Sequence, residues 1–183
     1  MGVKTLDAEE AGARLAITEV LHRYTRAIDR IDIPAVLACW HPGGTDNRPP
    51  LFKGPVEDFM VWLEPTLRSF ESATHILSNI LINRSGNKAG VESYWTANLR
   101  IRREGKLYDM VRGGRYIDEF ECRDGVWAIL HRYAVTDYSR AHEIDEAENT
   151  RLTPILLRPG VPKHAPLVPA RDKSDLSYEI LGF

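Results

Sequence analysis

The stretch GRYIDEFECRDGVWAILHRY (residues 114–133) decides the fold of this 183-residue chain. Two runs rich in β-branched, aromatic and aliphatic residues flank Asp124-Gly125, a dipeptide that favours a two-residue hairpin turn. The pattern predicts a long strand over residues 106–123 and a final strand over residues 126–139. The fold is therefore expected to contain a long antiparallel hairpin.

Toward the N-terminus the hairpin extends into an antiparallel meander. Residues 88–103 have the pattern of a long strand, and Glu104-Gly105 supplies the turn that joins them to residues 106–123. Residues 74–83 carry apolar side chains on both faces, which is typical of a strand covered on both faces. The sequence thus predicts four consecutive strands.

Three helices are predicted before these strands. Asp7 caps the first helix, which runs to about Arg30 and carries an apolar stripe of helical spacing formed by Ile17, Val20, Leu21, Tyr24, Ile28 and Ile31. The second helix carries Trp40, and the third covers about residues 55–70. The turn-rich stretch between them, up to Gly54, is expected to be loop or short edge strand. Helices followed by strands predict an α+β fold in which a curved antiparallel or mixed sheet wraps around three helices.

The composition of the chain limits the kinds of molecule that it is expected to bind. The chain has 43% hydrophobic residues, 27% charged residues and a net charge of −2, as an ordinary globular protein has. There is no sign of nucleic-acid binding, and no apolar run reaches the about 18 residues of a membrane span. Cys39 and Cys122 lack metal-ligand spacing and are expected to be free thiols. Free thiols, together with an N-terminus that lacks the apolar core of a signal peptide, predict a cytoplasmic protein.

The chain is predicted to comprise one domain, residues 7–140, and a Pro-rich C-terminal extension, residues 141–183. Little regular structure is expected in the extension because of Pro154, Pro159, Pro162, Pro166 and Pro169. Its apolar runs are Ile155-Leu156-Leu157 and Ile180-Leu181. We therefore expect the extension to pack on the domain or on a neighbouring subunit.

Four separated residues form the candidate catalytic set. Tyr24 lies in the apolar stripe of the first helix and Asp29 at its edge, while His75 and Arg132 lie in predicted strands. An imidazole can accept a proton and return it near neutral pH, and a carboxylate partner fixes its tautomer. Tyr24 is either a core residue or a substrate contact. Arg132 either pairs with Asp29 or stabilises a leaving group or a carboxylate.

Five further side chains are expected to bind an apolar substrate. Leu77 and Asn79 share the predicted face of the candidate base, and the Asn79 amide either binds a developing oxyanion or satisfies backbone groups. Tyr116 and Phe120 share one strand face, and Trp40 adds an aromatic ring from the second helix.

The sequence resembles the SnoaL-like branch of the nuclear transport factor 2 superfamily over about residues 9–140. The resemblance rests on ITEVLHRY (residues 17–24) with Ala27-Ile28-Asp29, on THILSN (residues 74–79), and above all on residues 114–127. The branch includes scytalone dehydratase, bile-acid 7α-dehydratase, hexachlorocyclohexane dehydrochlorinase and a diarylpropane deformylating lyase. Most members abstract a proton in a deep apolar cone without metal or organic cofactor, with side chains that map onto Tyr24, Asp29, His75 and Arg132.

The resemblance implies a cofactor-independent lyase that eliminates water, halide or a carbonyl fragment from a hydrophobic aromatic or polycyclic molecule and leaves an alkene. The alternatives are a ketosteroid isomerase-like or polyketide cyclase-like enzyme with a carboxylate base, a ligand-binding module, and an assembly subunit. It also implies a homo-oligomer, either trimer or dimer, that binds neither nucleic acid nor membrane.

Overall fold

The computed structural model describes residues 2, 5–147 and 169–182. Its first half contains α1 (Ala8–Asp29), α2 (Ile33–Leu37), β1 (Trp40–Arg48), β2 (Phe52–Pro55) and α3 (Val56–Arg68). Four long strands follow, namely β3 (Phe70–Ser85), β4 (Lys88–Arg103), β5 (Lys106–Arg123) and β6 (Val126–Glu143). A short helix, α4, spans Leu176–Leu181 in the C-terminal described segment.

The strands form one curved sheet in the order β2-β1-β6-β5-β4-β3. Strands β3 to β6 form an antiparallel meander, and β1 pairs with β6 in parallel. The turn between β5 and β6 lies at Asp124 and Gly125, whose φ angles of 51° and 80° are those of a two-residue hairpin turn. The predicted hairpin and the α+β fold class are confirmed.

Helices α1 and α3 pack their apolar faces against the inner face of the sheet. Ile17, Leu21 and Phe59 are fully buried, and each such side chain contributes about 1.5–3 kcal/mol. The predicted cap of α1 is confirmed, because the Asp7 carboxylate accepts a hydrogen bond from the Glu10 N–H at 2.8 Å. This packing fixes the position of the C-terminal end of α1 relative to the sheet.

The segment before α3 differs from its prediction. Helix α2 ends at Leu37, so Trp40 begins β1 and does not lie in a helix. Trp40 pairs with Ile129 of β6, and residues 45–47 continue this parallel pairing. Of the two alternatives given for the stretch up to Gly54, loop or short edge strand, the structure has strands: β1 and β2 form one side of the sheet, and β1 pairs with the interior strand β6.

Strand β3 also differs from its prediction. It forms one edge of the sheet, and Ile76 and Leu81 are 53% and 69% exposed. The prediction that this strand is covered on both faces is therefore wrong for the single chain. An apolar run marks burial only when a second layer lies on each face, and β3 has the helices on one face. The predicted homo-oligomer stays a prediction.

The described C-terminal segment, residues 169–182, contacts the end of α1. The Tyr178 hydroxyl donates to Asp32 at 2.8 Å, and the Arg26 guanidinium lies 4.4 Å from the Tyr178 ring centroid. Ile180 and Leu181 are exposed. Outside the described residues lie the first apolar run of the predicted extension and its prolines before Pro169. Strand β6 continues past the predicted domain boundary at residue 140.

Candidate active site

A cavity of about 770 Å³ lies between the helices and the inner face of the sheet. Most of its wall is apolar or aromatic, with side chains such as Trp62, Leu63, Trp95 and Leu99. The ionisable side chains in the lining are Tyr24, Arg48, His75, Arg112, Tyr116 and Tyr133. An apolar cavity with a few polar groups is the usual form of a small-molecule site.

His75 and Asp29 form a hydrogen-bonded dyad at this cavity. Asp29 is the last residue of α1, and its Oδ1 lies 2.6 Å from Nδ1 of His75 on β3. The backbone N–H of His75 donates to Oδ2 of Asp29 at 2.9 Å. Both carboxylate oxygens therefore bind one residue, and this fixes the imidazole on the inner face of the sheet.

The dyad determines which ring nitrogen of His75 can act as a base. An Nδ1 bound to a carboxylate carries the ring proton, so Nε2 keeps its lone pair. His75 lines the cavity, and no hydrogen bond to Nε2 occurs among the described residues. The imidazole is thus held in the tautomer that accepts a proton from a molecule in the cavity.

Tyr24 and a partner that the sequence did not indicate also line the cavity. The Tyr24 hydroxyl accepts a hydrogen bond from Nη2 of Arg48 at 3.4 Å. Arg48 in turn donates from Nε and Nη2 to the fully buried Asp46, both at 2.5 Å. Arg48 was missed because its segment was predicted only as loop or short edge strand, without a register that assigns its side chains to a face. The spacing of Asp46 and Arg48, two residues apart on a strand, was the available signal.

Arg132 lies behind the cavity and pairs with Asp118. Its Nε and Nη2 donate to the two carboxylate oxygens at 2.7 Å each, and both side chains are fully buried. The guanidinium lies 4.2 Å from the Tyr24 ring centroid and 4.0 Å from that of Tyr116, and both rings line the cavity. Burial raises the pKa of Asp118, and the Arg132 charge opposes that rise. The alternative in which Arg132 pairs with Asp29 is wrong.

Arg171 of the C-terminal segment supports the dyad from behind. Its Nε donates to the Asp29 carbonyl at 3.1 Å, and its Nη1 donates to the carbonyls of Leu67 and Phe70 at 2.9 and 2.7 Å. Burial lowers the pKa of the Arg171 guanidinium, and the charge of Asp29 opposes this. One side chain thus joins the ends of α1 and α3 to the start of β3.

Four residues predicted to bind substrate do not line the cavity. Trp40 and Phe120 are buried in the core, and Leu77 is half-buried beside the site. Asn79 is exposed with a φ of 48°, because a bulge between Ser78 and Leu81 interrupts the alternation of β3. The prediction that Asn79 shares the face of His75 is therefore wrong. Tyr116, the fifth, lines the cavity and stacks on Trp95 at 5.6 Å between ring centroids.

The described part of the chain lacks two kinds of feature. It contains no group of three or more His, Cys, Asp or Glu side chains placed to hold a metal ion. None of its helices is both long enough and apolar enough to cross a membrane.

The model of the SnoaL-like domain family matches residues 9–133, from the start of α1 into β6. The chain belongs to the SnoaL-like domain family. The match includes the dyad, Tyr24 and Arg132, and the curved sheet with helices on its inner face agrees with the expected nuclear transport factor 2-like fold. The resemblance seen in the sequence is confirmed.

Solved structures share the fold of this SnoaL-like domain. A candidate scytalone dehydratase from Novosphingobium aromaticivorans DSM 12444 is 22% identical, with a TM-score of 0.66 over 73% of this chain and 90% of that chain. A hexachlorocyclohexane dehydrochlorinase, LinA-type3 from Novosphingobium barchaimii LL02, is 14% identical, with a TM-score of 0.65 over 88% and 100% of the two chains. At these identities the likeness shows the fold alone.

One curated protein is similar in sequence. Dual specificity phosphatase 28 of Mus musculus is 30% identical over 103 residues, which are 55% of this chain. The match covers 62% of that protein, so the chain spans less than two thirds of this relative's length.

Proposed function

We infer that this SnoaL-like protein is a lyase that uses no cofactor and performs a base-catalysed elimination on a hydrophobic aromatic or polycyclic molecule. The observation that carries this proposal is the dyad. An imidazole whose Nδ1 is bound by Asp29 at 2.6 Å lines an apolar cavity of about 770 Å³. The dehydratase and dehydrochlorinase names among the structural relatives support the same class of reaction.

In the proposed reaction, Nε2 of His75 takes a proton from the carbon next to the departing group. The electron pair of that C–H bond forms the new double bond, and the leaving group departs with its bonding electrons. A halide leaves as the anion, whereas a hydroxyl leaves as water after the imidazolium returns the proton. Asp29 stabilises the imidazolium in between.

A variant of this reaction begins at a hydroxyl group. Nε2 of His75 deprotonates a primary hydroxyl, the adjacent carbon–carbon bond breaks, and an aldehyde leaves. The released electron pair forms the alkene and expels a neighbouring hydroxyl, which departs as water with the proton from the imidazolium. The same dyad serves both variants.

Tyr24 is the group that the geometry favours for contact with the leaving group. Its hydroxyl lies in the cavity lining and accepts from Arg48, which leaves its own proton for an oxygen or halide of the substrate. Arg132 acts through Tyr24 and Tyr116, since both rings stand between it and the cavity. We therefore treat Arg132 as a positioning residue.

An isomerase with Asp29 as the base is less well supported. Both Asp29 oxygens accept hydrogen bonds from His75, and Asp29 does not belong to the cavity lining. A phosphatase, the activity in the name of the curated relative, is not proposed either. No cysteine among the described residues lines the cavity, and burial raises the pKa of the Cys39 thiol to about 11, which does not suit a nucleophile.

The test is an ultraviolet absorbance screen without added cofactor, on hydroxylated and halogenated aromatic, diaryl and steroid compounds. The wild type, His75→Ala and the control variant His22→Ala are compared, because His22 is an exposed histidine of α1 outside the cavity. We expect new conjugated absorbance from the wild type and His22→Ala. The loss of a general base should lower the rate of His75→Ala about 10²- to 10⁴-fold.

Circular dichroism should show that His75→Ala is folded, since the backbone N–H that binds Asp29 remains. Equal turnover by His75→Ala and the wild type would refute the assignment of His75 as the base. Binding of panel compounds without turnover by any variant would favour the ligand-binding module.

A further inference from the structure

Arg112 on β5 differs from the other arginines near the cavity. Arg48 and Arg132 each bind a fully buried aspartate, whereas Arg112 lines the cavity and has no carboxylate or other hydrogen-bond partner among the described residues. A half-buried cation beside apolar walls is unfavourable unless an anion accompanies it. The position therefore suits a negatively charged ligand group.

The sheet register places Arg112 in line with the dyad. His75 of β3 pairs with Ala97 of β4, and Ala97 pairs with Arg112 of β5. Directly paired residues of antiparallel strands point to the same face, so the three side chains form one row across the inner face. Two strand spacings put the Cα atoms of His75 and Arg112 on the order of 10 Å apart.

The middle of this row provides space for a ligand. Ala97 has a small side chain, and it lines the cavity between the imidazole and the guanidinium. Trp95 and Leu99, its neighbours two residues away on β4, form apolar walls on either side. A ring or short chain lying over Ala97 would have the base at one end and the cation at the other.

We propose that Arg112 binds an anionic group of the substrate, of which a carboxylate is the best match, while His75 takes the proton. A planar guanidinium binds a carboxylate through two parallel hydrogen bonds, which would fix the orientation of the substrate relative to Nε2. The proposal deepens the proposed function, since it rests on the same cavity and names an aromatic acid as the substrate class.

The test measures binding, so it is independent of turnover. The probes are biphenyl-4-carboxylate and the neutral biphenyl-4-methanol, and their Kd values are measured by titration calorimetry with the full chain. Arg112→Gln removes the charge, and Arg112→Lys keeps it without the planar fork. Arg115→Gln is the matched control, because Arg115 lies on the same strand and pairs outside the cavity with Asp137 at 3.2 Å.

We expect Arg112→Gln to bind the carboxylate about 10- to 100-fold more weakly than the wild type, as the loss of hydrogen bonds to a charged group predicts. Arg112→Lys should be intermediate, Arg115→Gln unchanged, and binding of the alcohol equal in all four proteins. A similar carboxylate Kd for Arg112→Gln and the wild type would overturn the proposal. So would an equal loss of affinity for the alcohol.

The two proposals fail in different ways. If the carboxylate binds through Arg112 but no compound is turned over, the anion site is supported and the lyase assignment is wrong. If His75-dependent turnover occurs while Arg112→Gln binds the carboxylate as tightly as the wild type, the lyase assignment is supported and the anion site is wrong.

Discussion

Replacing Arg132 with methionine should strongly destabilise the fold. Arg132 and Asp118 are both fully buried and joined by two hydrogen bonds of 2.7 Å. Arg132→Met keeps a long, flexible apolar side chain but leaves the Asp118 carboxylate buried without its cation. The guanidinium contacts with the Tyr24 and Tyr116 rings, at 4.2 and 4.0 Å, are lost as well.

The magnitude follows from the burial of the pair. Removing one partner of a buried ion pair costs about 3–5 kcal/mol, which is a large part of the about 5–15 kcal/mol that stabilises a typical domain. Replacing both partners with apolar residues leaves no uncompensated charge. The double variant Arg132→Met/Asp118→Leu should therefore recover to within about 1–2 kcal/mol of the wild type.

The loss should also depend on pH. Burial raises the pKa of Asp118 and Arg132 opposes this, so removing Arg132 raises the pKa further. A carboxyl group whose pKa is higher in the folded state binds its proton more tightly there. Its contribution to stability is present at low pH and lost as the pH rises through the folded-state pKa. The destabilisation of Arg132→Met should be larger at about pH 8 than at about pH 5.

The assay is urea unfolding followed by tryptophan fluorescence, with the free energy of unfolding taken from linear extrapolation. A loss below about 1 kcal/mol in Arg132→Met, or a double variant as unstable as the single one, would refute the reasoning. Turnover by the double variant would support a positioning role for Arg132, whereas a folded but inactive double variant would favour its direct contact with substrate.

Two further variants test the support of the dyad. Asp29→Asn replaces one acceptor oxygen with an NH₂ donor that faces an N–H of His75. Because the imidazolium then lacks its carboxylate partner, kcat should fall about 10²- to 10⁴-fold. The Kd for a neutral ligand should change little. A kcat close to that of the wild type would show that the carboxylate is not needed. Arg171→Gln removes hydrogen bonds to three backbone carbonyls and should lower the free energy of unfolding by about 1–3 kcal/mol in thermal or urea unfolding. The exposed Lys173→Gln is its control, and equal stability of the two variants would contradict the role of Arg171.

Features encoded by neighbouring residues could be predicted from the sequence. The Asp7 cap of α1 and the turn at Asp124-Gly125 depend on a few consecutive residues, and both are confirmed. The pairing of Asp29 with His75 is not local, and the expectation came from the chemistry of the two residue types and from the family resemblance. The structure adds the contact of 2.6 Å between Nδ1 of His75 and Oδ1 of Asp29.

Features that depend on pairing between distant segments could not be predicted. The parallel pairing of Trp40 with β6 leaves no local pattern, since glycines and prolines follow it in the sequence. The bulge at Asn79 reverses the alternation that the sequence pattern assumes. Arg171 lies far along the chain, in a segment predicted only to pack on the domain or on a neighbouring subunit.

The partner of Arg132 shows how one inserted residue determines the chemistry of the interior. From the turn at Asp124-Gly125, the β5–β6 register runs regularly as far as the pair Phe120 and Ile129. If that register continued, Asp118 would face His131, and Arg132 would point to the outside. A bulge after Ile129 shifts the register so that Arg132 faces Asp118 on the inner side. The buried ion pair beneath Tyr24 therefore exists because the register shifts by one residue at this bulge. Deleting Leu130, the extra residue, would give a regular register in which Arg132 still faces Asp118, so the deletion variant should keep the buried ion pair.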